Sequence, residues 1–507
     1  MNINPKFDKD LLGLTPDKAK SHFKEITKQD EPAQHTEILE ELLEEFELLD
    51  FKAMVYPQVK RLRKQLAKDP KGEHAEDIKK ELDKLKINTK HYLVLSIDHV
   101  LEVAINKRWG MCKHHDFIYL YNGAYWANID KELFQKFLGE AVEKMGVGKF
   151  NAKFYQFREK LFKQFLSTAY LSPPPPQNDK VLINLKNGTF EITPKGTQLR
   201  AFNRSDFITY QLPFEYEPKA QAPIFQKYLN RVIPDKEKQN VLAEYLGFVF
   251  IKHGSNTIKE EKTLLLYGTG ANGKSVFFEI VNALLGNDNV CHYSLKNLTD
   301  EKGYQRAKLA NKLVNYASEI NGSLEASLFK QLVSGEPVEA RLPYGEPFTL
   351  RQYAKLIFNC NELPKDVEHT NAYFRRFLII PFDVTFPAEE QDKELHTKII
   401  DKELSGVFNW VLQGLNRLLK QKGFSKCEAV SKAVEQYKTE SDSVKLFIRE
   451  SGYTKSPDHY ILMKDLYHKY RVFCMDDGFK PVSKINFKKR LSGSGVLIDK
   501  NKYGNAA

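Results

Sequence analysis

The 507-residue chain lacks any run of eighteen apolar residues, so no membrane-spanning helix is expected. Its first residues, MNINPKFDKDLLG, lack the apolar centre of a secretory signal. Cysteine is sparse: Cys112, Cys291, Cys360, Cys427 and Cys474 stand singly. Without a Cys-x-x-Cys pair, neither a zinc site nor a disulfide framework is expected, and a reducing cytoplasm fits best. Paired carboxylates for a two-metal polymerase centre are also missing, since Asp98 is a lone acid. His114-His115-Asp116 sits on a strand-like segment where neighbouring side chains face opposite ways, with no third ligand at useful spacing.

What is present begins with length and charge. A chain this long exceeds one core and implies roughly three or four domains. A net charge of +11 and a pI near 9.0 are compatible with a polyanionic partner, but the position of the charge has to decide.

The most informative stretch runs Leu264-Leu265-Leu266-Tyr267-Gly268-Thr269-Gly270-Ala271-Asn272-Gly273-Lys274-Ser275-Val276. It reads as a buried strand, a glycine-rich turn and a helix start closed by Gly286. Gly268, Gly273, Lys274 and Ser275 match the G-x-x-x-x-G-K-[ST] phosphate-binding loop. The glycines let successive N–H groups turn inward on phosphate, and the helix adds its positive end. Lys274 can reach the outer phosphates and Ser275 can hold Mg²⁺. At this point ATP and GTP read equally well.

Residues 1–90 read as mostly helical, with mixed-sign charge of the kind carried by solvated helix faces. His91–Ile97 reads as strand-like or as a buried apolar run. Phe117–Tyr121, Asn122-Gly123 and Ala124–Trp126 read as a β-hairpin, as do Val181–Lys186 and Thr189–Ile192 around Asn187-Gly188. Ser172–Pro176 (SPPPP) reads as a stiff linker. Residues 222–251 give two amphipathic helices divided near Pro234.

Downstream, Leu313–Glu319 reads as a short strand ending in an acid able to hold the Mg²⁺ shell or orient water. Lys355–Asn361 is another strand; Asn361 reads equally well as a γ-phosphate sensor or as a turn residue before Pro364. Arg375 and Arg376 precede a buried strand. Such an arginine can act on a neighbouring subunit's γ-phosphate or form a plain surface ion pair. Val338–Phe348 reads as a hairpin with a basic, aromatic tip at Arg341 and Tyr344. From Ser441 the order helix, short strand, helix, turn, helix, strand is that of a winged helix-turn-helix. Its last helix carries Lys484, Lys488, Lys489 and Arg490, set for phosphate contact or for a merely structural basic face.

Taken together these residues resemble the superfamily 3 helicase domain of phage and plasmid primase-helicases, related to the poxvirus replicative primase-helicase. The resemblance runs through Tyr210–Tyr216, Glu244–Gly247, Gly270–Ser275, Ser318-Glu319, Phe329–Glu336, Asn361–Pro364, Phe374–Arg376 and Ile380–Phe382. It implies an α/β architecture: an AAA+-type P-loop ATPase core, a mainly helical N-terminal region and a C-terminal winged-helix domain. The implied segments are 1–90 (helical), 91–200 (α+β accessory), 201–262 (helical collar), 263–390 (ATPase core), 391–440 (helical connector) and 441–507 (winged helix). It implies nucleotide contacts from Gly268 through Val276, Walker A roles for Lys274 and Ser275, and the Walker B acid at Glu319. Ser275 and Glu319 would hold the metal, Asn361 would be the sensor, and Arg376 (or Arg375) the arginine finger. Lys330, Arg341 and Tyr344 would line a DNA channel. Ser318 replaces the first acid of the usual pair, and the paired acids of an N-terminal primase are not found.

The function implied is an ATP- and Mg²⁺-dependent, ring-forming DNA helicase for replication of a phage, plasmid or other mobile element. Its partners would be single-stranded or forked DNA, further copies in a hexamer, and other replication proteins, in a bacterial or phage-infected cytoplasm. The alternatives are a nucleotide-switched initiator or defence ATPase without unwinding, and a primase-helicase with a divergent N-terminal primase.

Overall fold

The structure, a computed structural model, describes residues 34–114, 117–169, 179–318, 320, 325–343, 345–364, 367–456, 459–501 and 504–506. Residues 1–33, His115, Asp116, the Ser172–Pro176 run, Glu319 and Tyr344 lie outside the described residues. The chain divides into two compact units. One comprises the chain to Pro176 with 184–190 and 198–211, the other 177–183, 191–197 and everything from Leu212.

The first unit contains α1 (His35–Glu44), α2 (Phe51–Val55), α3 (Gln58–Lys68), α4 (Ala75–Lys84) and α5 (Thr89–Asn106). There follow β1 (Gly110–His114), β2 (Phe117–Tyr121), β3 (Trp126–Ile129), α6 (Lys131–Lys144), α7 (Lys149–Lys153) and α8 (Tyr155–Thr168). The strand reading of His91–Ile97 is corrected: this run lies inside α5. Asn88 caps the helix through the N–H groups of Lys90 and His91, and burial falls on Ile97, Val100 and Ala104 at helical spacing rather than alternately. The first hairpin is present, and β1 adds an antiparallel third strand. Its turn spans four residues: Asn122 Oδ1 accepts from the N–H groups of Ala124 and Tyr125, both at 3.0 Å, and Gly123 takes φ +95°. Residues 181–200 form a three-stranded sheet of β4 (Val181–Leu185), β5 (Gly188–Thr193) and β6 (Gly196–Arg200).

The larger unit continues with α9 (Pro223–Val232), α10 (Lys236–Phe248), β7 (Thr263–Tyr267), α11 (Lys274–Leu285), β8 (Val290–Cys291), α12 (Leu295–Leu298), α13 (Tyr304–Ala307) and β9 (Val314–Ala317). Then come α14 (Ala326–Ser334), β10 (Val338–Arg341), β11 (Pro347–Leu350), β12 (Lys355–Cys360), α15 (Asn371–Phe374) and β13 (Phe377–Pro381). Five strands form a parallel sheet in the order β13-β7-β12-β9-β8. Parallel strands are covered on both faces and so read as continuous apolar runs; Leu264, Leu265 and Leu266 are fully buried. β10 and β11 form the separate antiparallel hairpin.

The chain ends with α16 (Leu395–Gln421), α17 (Glu428–Glu440), α18 (Ser443–Glu450), α19 (Met463–Asp476), α20 (Lys484–Gly493), β14 (Asp499–Asn501) and β15 (Gly504–Ala506). The 27-residue α16 packs along α10, so α10 is buried nearly all round rather than on one face. Glycine makes that approach possible: a Cβ on Gly247 would lie 2.6 Å from Leu415 Cβ, and one on Gly414 2.3 Å from the Ala243 carbonyl carbon. Buried Glu244 accepts from Arg417 Nε at 2.6 Å and from Ser425 N at 2.8 Å across this seam. Val444, Phe447, Met463, Leu466, Tyr470, Phe487 and Leu491 form a small core for α18 to α20. Among the described residues no helix is long and apolar enough to cross a membrane.

Candidate nucleotide site at the carboxyl ends of the parallel strands

In an open α/β sheet ligands collect beyond the carboxyl ends of the strands. Three of those ends meet here. β7 runs into the 268–273 loop, β9 ends at Ala317 beside exposed Ser318, and β12 ends at Cys360 beside exposed Asn361. β12 lies between the other two strands, with Cys360 paired to Tyr267 and Phe358 to Ala317. Glu319, the expected acid, lies outside the described residues.

The loop is a folded object held from several sides. Gly268 N donates to Cys360 O at 3.1 Å, and Phe386 N donates to Ala271 O at 2.9 Å. Asn272 Nδ2 closes the turn on Thr269 O at 2.8 Å and reaches Phe382 O at 3.3 Å. Ala271 and Gly273 take positive φ, 58° and 88°. Gly268 is needed for a different reason: an added Cβ would lie 2.6 Å from Phe382 O. Thr269, Gly270, Ala271 and Ser275 remain exposed while Lys274 is buried.

Lys274 Nζ donates to Gly268 O at 2.6 Å, Asn272 Oδ1 at 3.0 Å and Thr269 O at 3.3 Å. These are neutral acceptors, and burial lowers the ammonium pKa below its ordinary value. A buried cation that meets no carboxylate among the described residues, at the N-terminus of α11 and below an exposed turn, fits a nucleotide phosphate chain. Ser275 and Val276 occupy the first turn of the same helix.

The remaining expected site residues are distributed differently. Arg375 and Arg376 lie at the amino end of β13, away from the loop. Arg376 is buried: Nη2 donates to Ser334 Oγ at 2.8 Å and lies 3.2 Å from Glu261 Oε2, and Nη1 donates to Ala372 O. Arg375 is over half exposed, with Glu261 at 2.5 Å. Lys330 is engaged by both oxygens of Glu368, at 2.8 and 3.1 Å. Arg341 sits exposed on the β10–β11 hairpin, its Nε donating to Gly345 O at 2.8 Å; Tyr344 is outside the described residues. On α20, Lys484 and Lys489 are exposed and Lys488 is half-buried, whereas Arg490 turns back to Asp442 Oδ1 at 3.3 Å.

Three residues that shape the site were not singled out from sequence. Tyr228 on α9 donates its hydroxyl to Gly273 O at 2.8 Å, bracing the loop from 45 positions upstream. Asn359 on β12 accepts from the Tyr316 hydroxyl of β9 at 3.0 Å, tying the two strands beneath the site. No local signal marks Tyr228 or Tyr316. Asn359 carries one, a polar residue inside an apolar strand.

Family comparisons match this arrangement in segments. A family described as D5 N terminal like matches residues 99–234, and one described as Poxvirus D5 protein-like matches 439–503. Two separate segments of the chain are thus similar to D5-type protein families. A family of unknown function, DUF5906, matches residues 266–376, from the end of β7 to Arg376. The putative helicase L207/L206 of Acanthamoeba polyphaga mimivirus is 28% identical over 213 residues, covering 40% of this chain and 22% of that protein. The putative helicase 121R of Invertebrate iridescent virus 3 is 22% identical over 335 residues, covering 57% of this chain and 34% of that one. The chain thus spans between about a fifth and a third of the length of these curated relatives. Among solved structures, the apo NrS-1 C-terminal region aligns over 80% of this chain and 97% of its own, at 13% identity and a TM-score of 0.44.

Proposed function

We propose that this primase-helicase-type chain is an ATP-dependent DNA helicase subunit of superfamily 3, working as an AAA+ ring, usually hexameric, in replication of a mobile element. The observation that carries the reading is the strand order β13-β7-β12-β9-β8. It brings the phosphate loop, the end of β9 and Asn361 to one edge of the sheet, as nucleotide hydrolysis requires.

In this reading the 268–273 backbone and the α11 N-terminus hold the phosphates, and Lys274 exchanges its loop carbonyls for phosphate oxygens. Ser275 and Glu319 would hold Mg²⁺, whose charge would neutralise those oxygens. Glu319 accepts the proton side of the attacking water and Asn361 fixes that water or the γ-phosphate. Arg375 or Arg376 of one subunit completes the next subunit's site; exposure favours Arg375. The β10–β11 hairpin and the exposed lysines of α20, in a winged-helix role, contact DNA. Support comes from the D5-like segments and from relatives named putative helicases.

The test is ATP hydrolysis and strand displacement on forked DNA by the wild type and Lys274→Ala. Both activities should be present in the first and fall at least a hundredfold in the second. Hydrolysis without displacement would instead assign a nucleotide switch, and equal hydrolysis by both proteins would remove the site.

A further inference from the structure

Among the described residues, four aromatic side chains are exposed: Phe150 (92%), Phe154 (49%), Tyr155 (67%) and Tyr460 (61%). Three of the four fall within six positions of the first unit, at the junction of α7 and α8. A phenylalanine this exposed contributes almost nothing to folding, and a clustered apolar patch on a surface marks an interaction site.

The segment is firmly built. Ala152 is fully buried in the unit's core and Phe157 nearly so. Ala152 N donates to Gly148 O at 3.1 Å, Phe154 N to Asn151 O at 3.1 Å and Phe157 N to Phe154 O at 3.0 Å. Arg158 Nε reaches back to Ala152 O at 3.1 Å, locking α7 onto α8. With the backbone pinned from inside, Lys149 and Lys153 stand one turn apart on α7, and Phe150 stands four positions before Phe154, the extended C-cap residue of that helix. The Phe154 and Tyr155 rings lie edge to face at 5.2 Å, and Gln156 Nε2 donates to the Tyr155 hydroxyl at 3.1 Å.

Charge identifies the occupant. From Lys144 to Lys163 the chain carries Lys144, Lys149, Lys153, Arg158, Lys160 and Lys163 against the carboxylate of Glu159. That carboxylate is taken by Lys163 at 2.9 Å. Phe154, at the N-cap of α8, offers no side-chain cap, which adds the helix's positive end beside the lysines. Protein interfaces deplete lysine from their centres. Aromatic faces interleaved with lysines suit bases and phosphates of an unpaired strand.

We propose that Phe150, Phe154 and Tyr155, flanked by Lys149 and Lys153, form a stacking platform for single-stranded nucleic acid. The platform deepens the nucleic-acid part of the preceding reading and does not use its nucleotide part.

The experiment uses the full chain without nucleotide, also in a Lys274→Ala background, so a failed hydrolysis reading leaves it intact. Single-stranded DNA and RNA oligonucleotides carrying 2-aminopurine report stacking by quenching, and titrations at several salt concentrations report phosphate contacts. Phe150→Ala/Phe154→Ala/Tyr155→Ala should weaken binding about tenfold or more and abolish the quench, with an unchanged melting temperature. Lys149→Ala/Lys153→Ala should lower the log–log salt slope by about 1.4. The comparison of the two oligonucleotides identifies the strand type. Each variant is repeated in a Lys484→Ala/Lys489→Ala background, so that binding through α20 does not mask the loss. Unchanged affinity, quench and slope in both backgrounds would overturn the proposal, and loss of self-association with unchanged oligonucleotide binding would assign the patch to a second copy.

Discussion

Arg376 lies 3.2 Å from Glu261 Oε2 inside the protein, while its sequence neighbour Arg375 meets the same carboxylate from the exposed side at 2.5 Å. One carboxylate thus anchors two arginines in different environments. Arg376 also joins α14 through Ser334 and α15 through the Ala372 carbonyl, and its buried Nε meets no hydrogen-bond partner among the described residues.

Removing the buried member should therefore damage the fold. We expect Arg376→Ala to lose about 3 kcal/mol of stability in chemical denaturation, because Glu261 is left partly buried without its inner partner. Arg375→Ala should lose under about 1 kcal/mol, as exposed pairs do. If Arg375 acts across a subunit interface, its variant should keep its fold yet lose most hydrolysis. Mixing it with Lys274→Ala subunits should then restore activity at alternating interfaces. No recovery in the mixture would reject action in trans.

The phosphate loop tolerates side chains poorly at its two end glycines. Gly273→Ala meets a left-handed backbone at φ 88° and Val232 Cγ1 at 2.6 Å. Gly268→Ala meets Phe382 O at 2.6 Å. Each should cost about 1 kcal/mol or more and weaken ATP binding, measured by titration with a fluorescent analogue. Gly270→Ala meets nothing within 4 Å and should leave stability unchanged.

Lys355, buried at the start of β12, lies 3.0 Å from His253 Nδ1 and 4.2 Å from the Phe248 ring centre. Burial pulls its pKa down to about 7, and both burial and the Lys355 charge pull His253 well below its ordinary value. The unfolded lysine titrates near 10.4. Between those limits the unfolded chain holds one more proton, so this group makes stability rise with pH, by up to about 1.4 kcal/mol per unit. Below about pH 7 the lysine is charged in both states and its slope vanishes. His253 then continues the loss as pH falls below its unfolded pKa. Lys355→Met should flatten the rise from pH 7 to 10 in parallel urea titrations; identical slopes would show that the lysine does not titrate there.

What sequence alone determined is the local form of the glycine-rich loop before Lys274. Gly268, Gly273, Lys274 and Ser275 lie within one strand end, one turn and one helix start, and the leucines before them announce a buried strand by composition. The β12 and β13 strands, the three hairpins and the helices of the last sixty-odd residues are likewise readable, because periodicity and turn residues act over a few positions. Tertiary structure decided the rest. His91–Ile97 became helix because Asn88 caps it and the core takes residues at helical spacing. The adjacent arginines look identical in sequence, and only burial against Glu261 and Ser334 separates them. Tyr228 braces Gly273 from 45 positions away, and Glu403 caps α9 through Ile224 N and Phe225 N across about 179. Such contacts depend on which surfaces the whole chain brings together, and no local pattern records them.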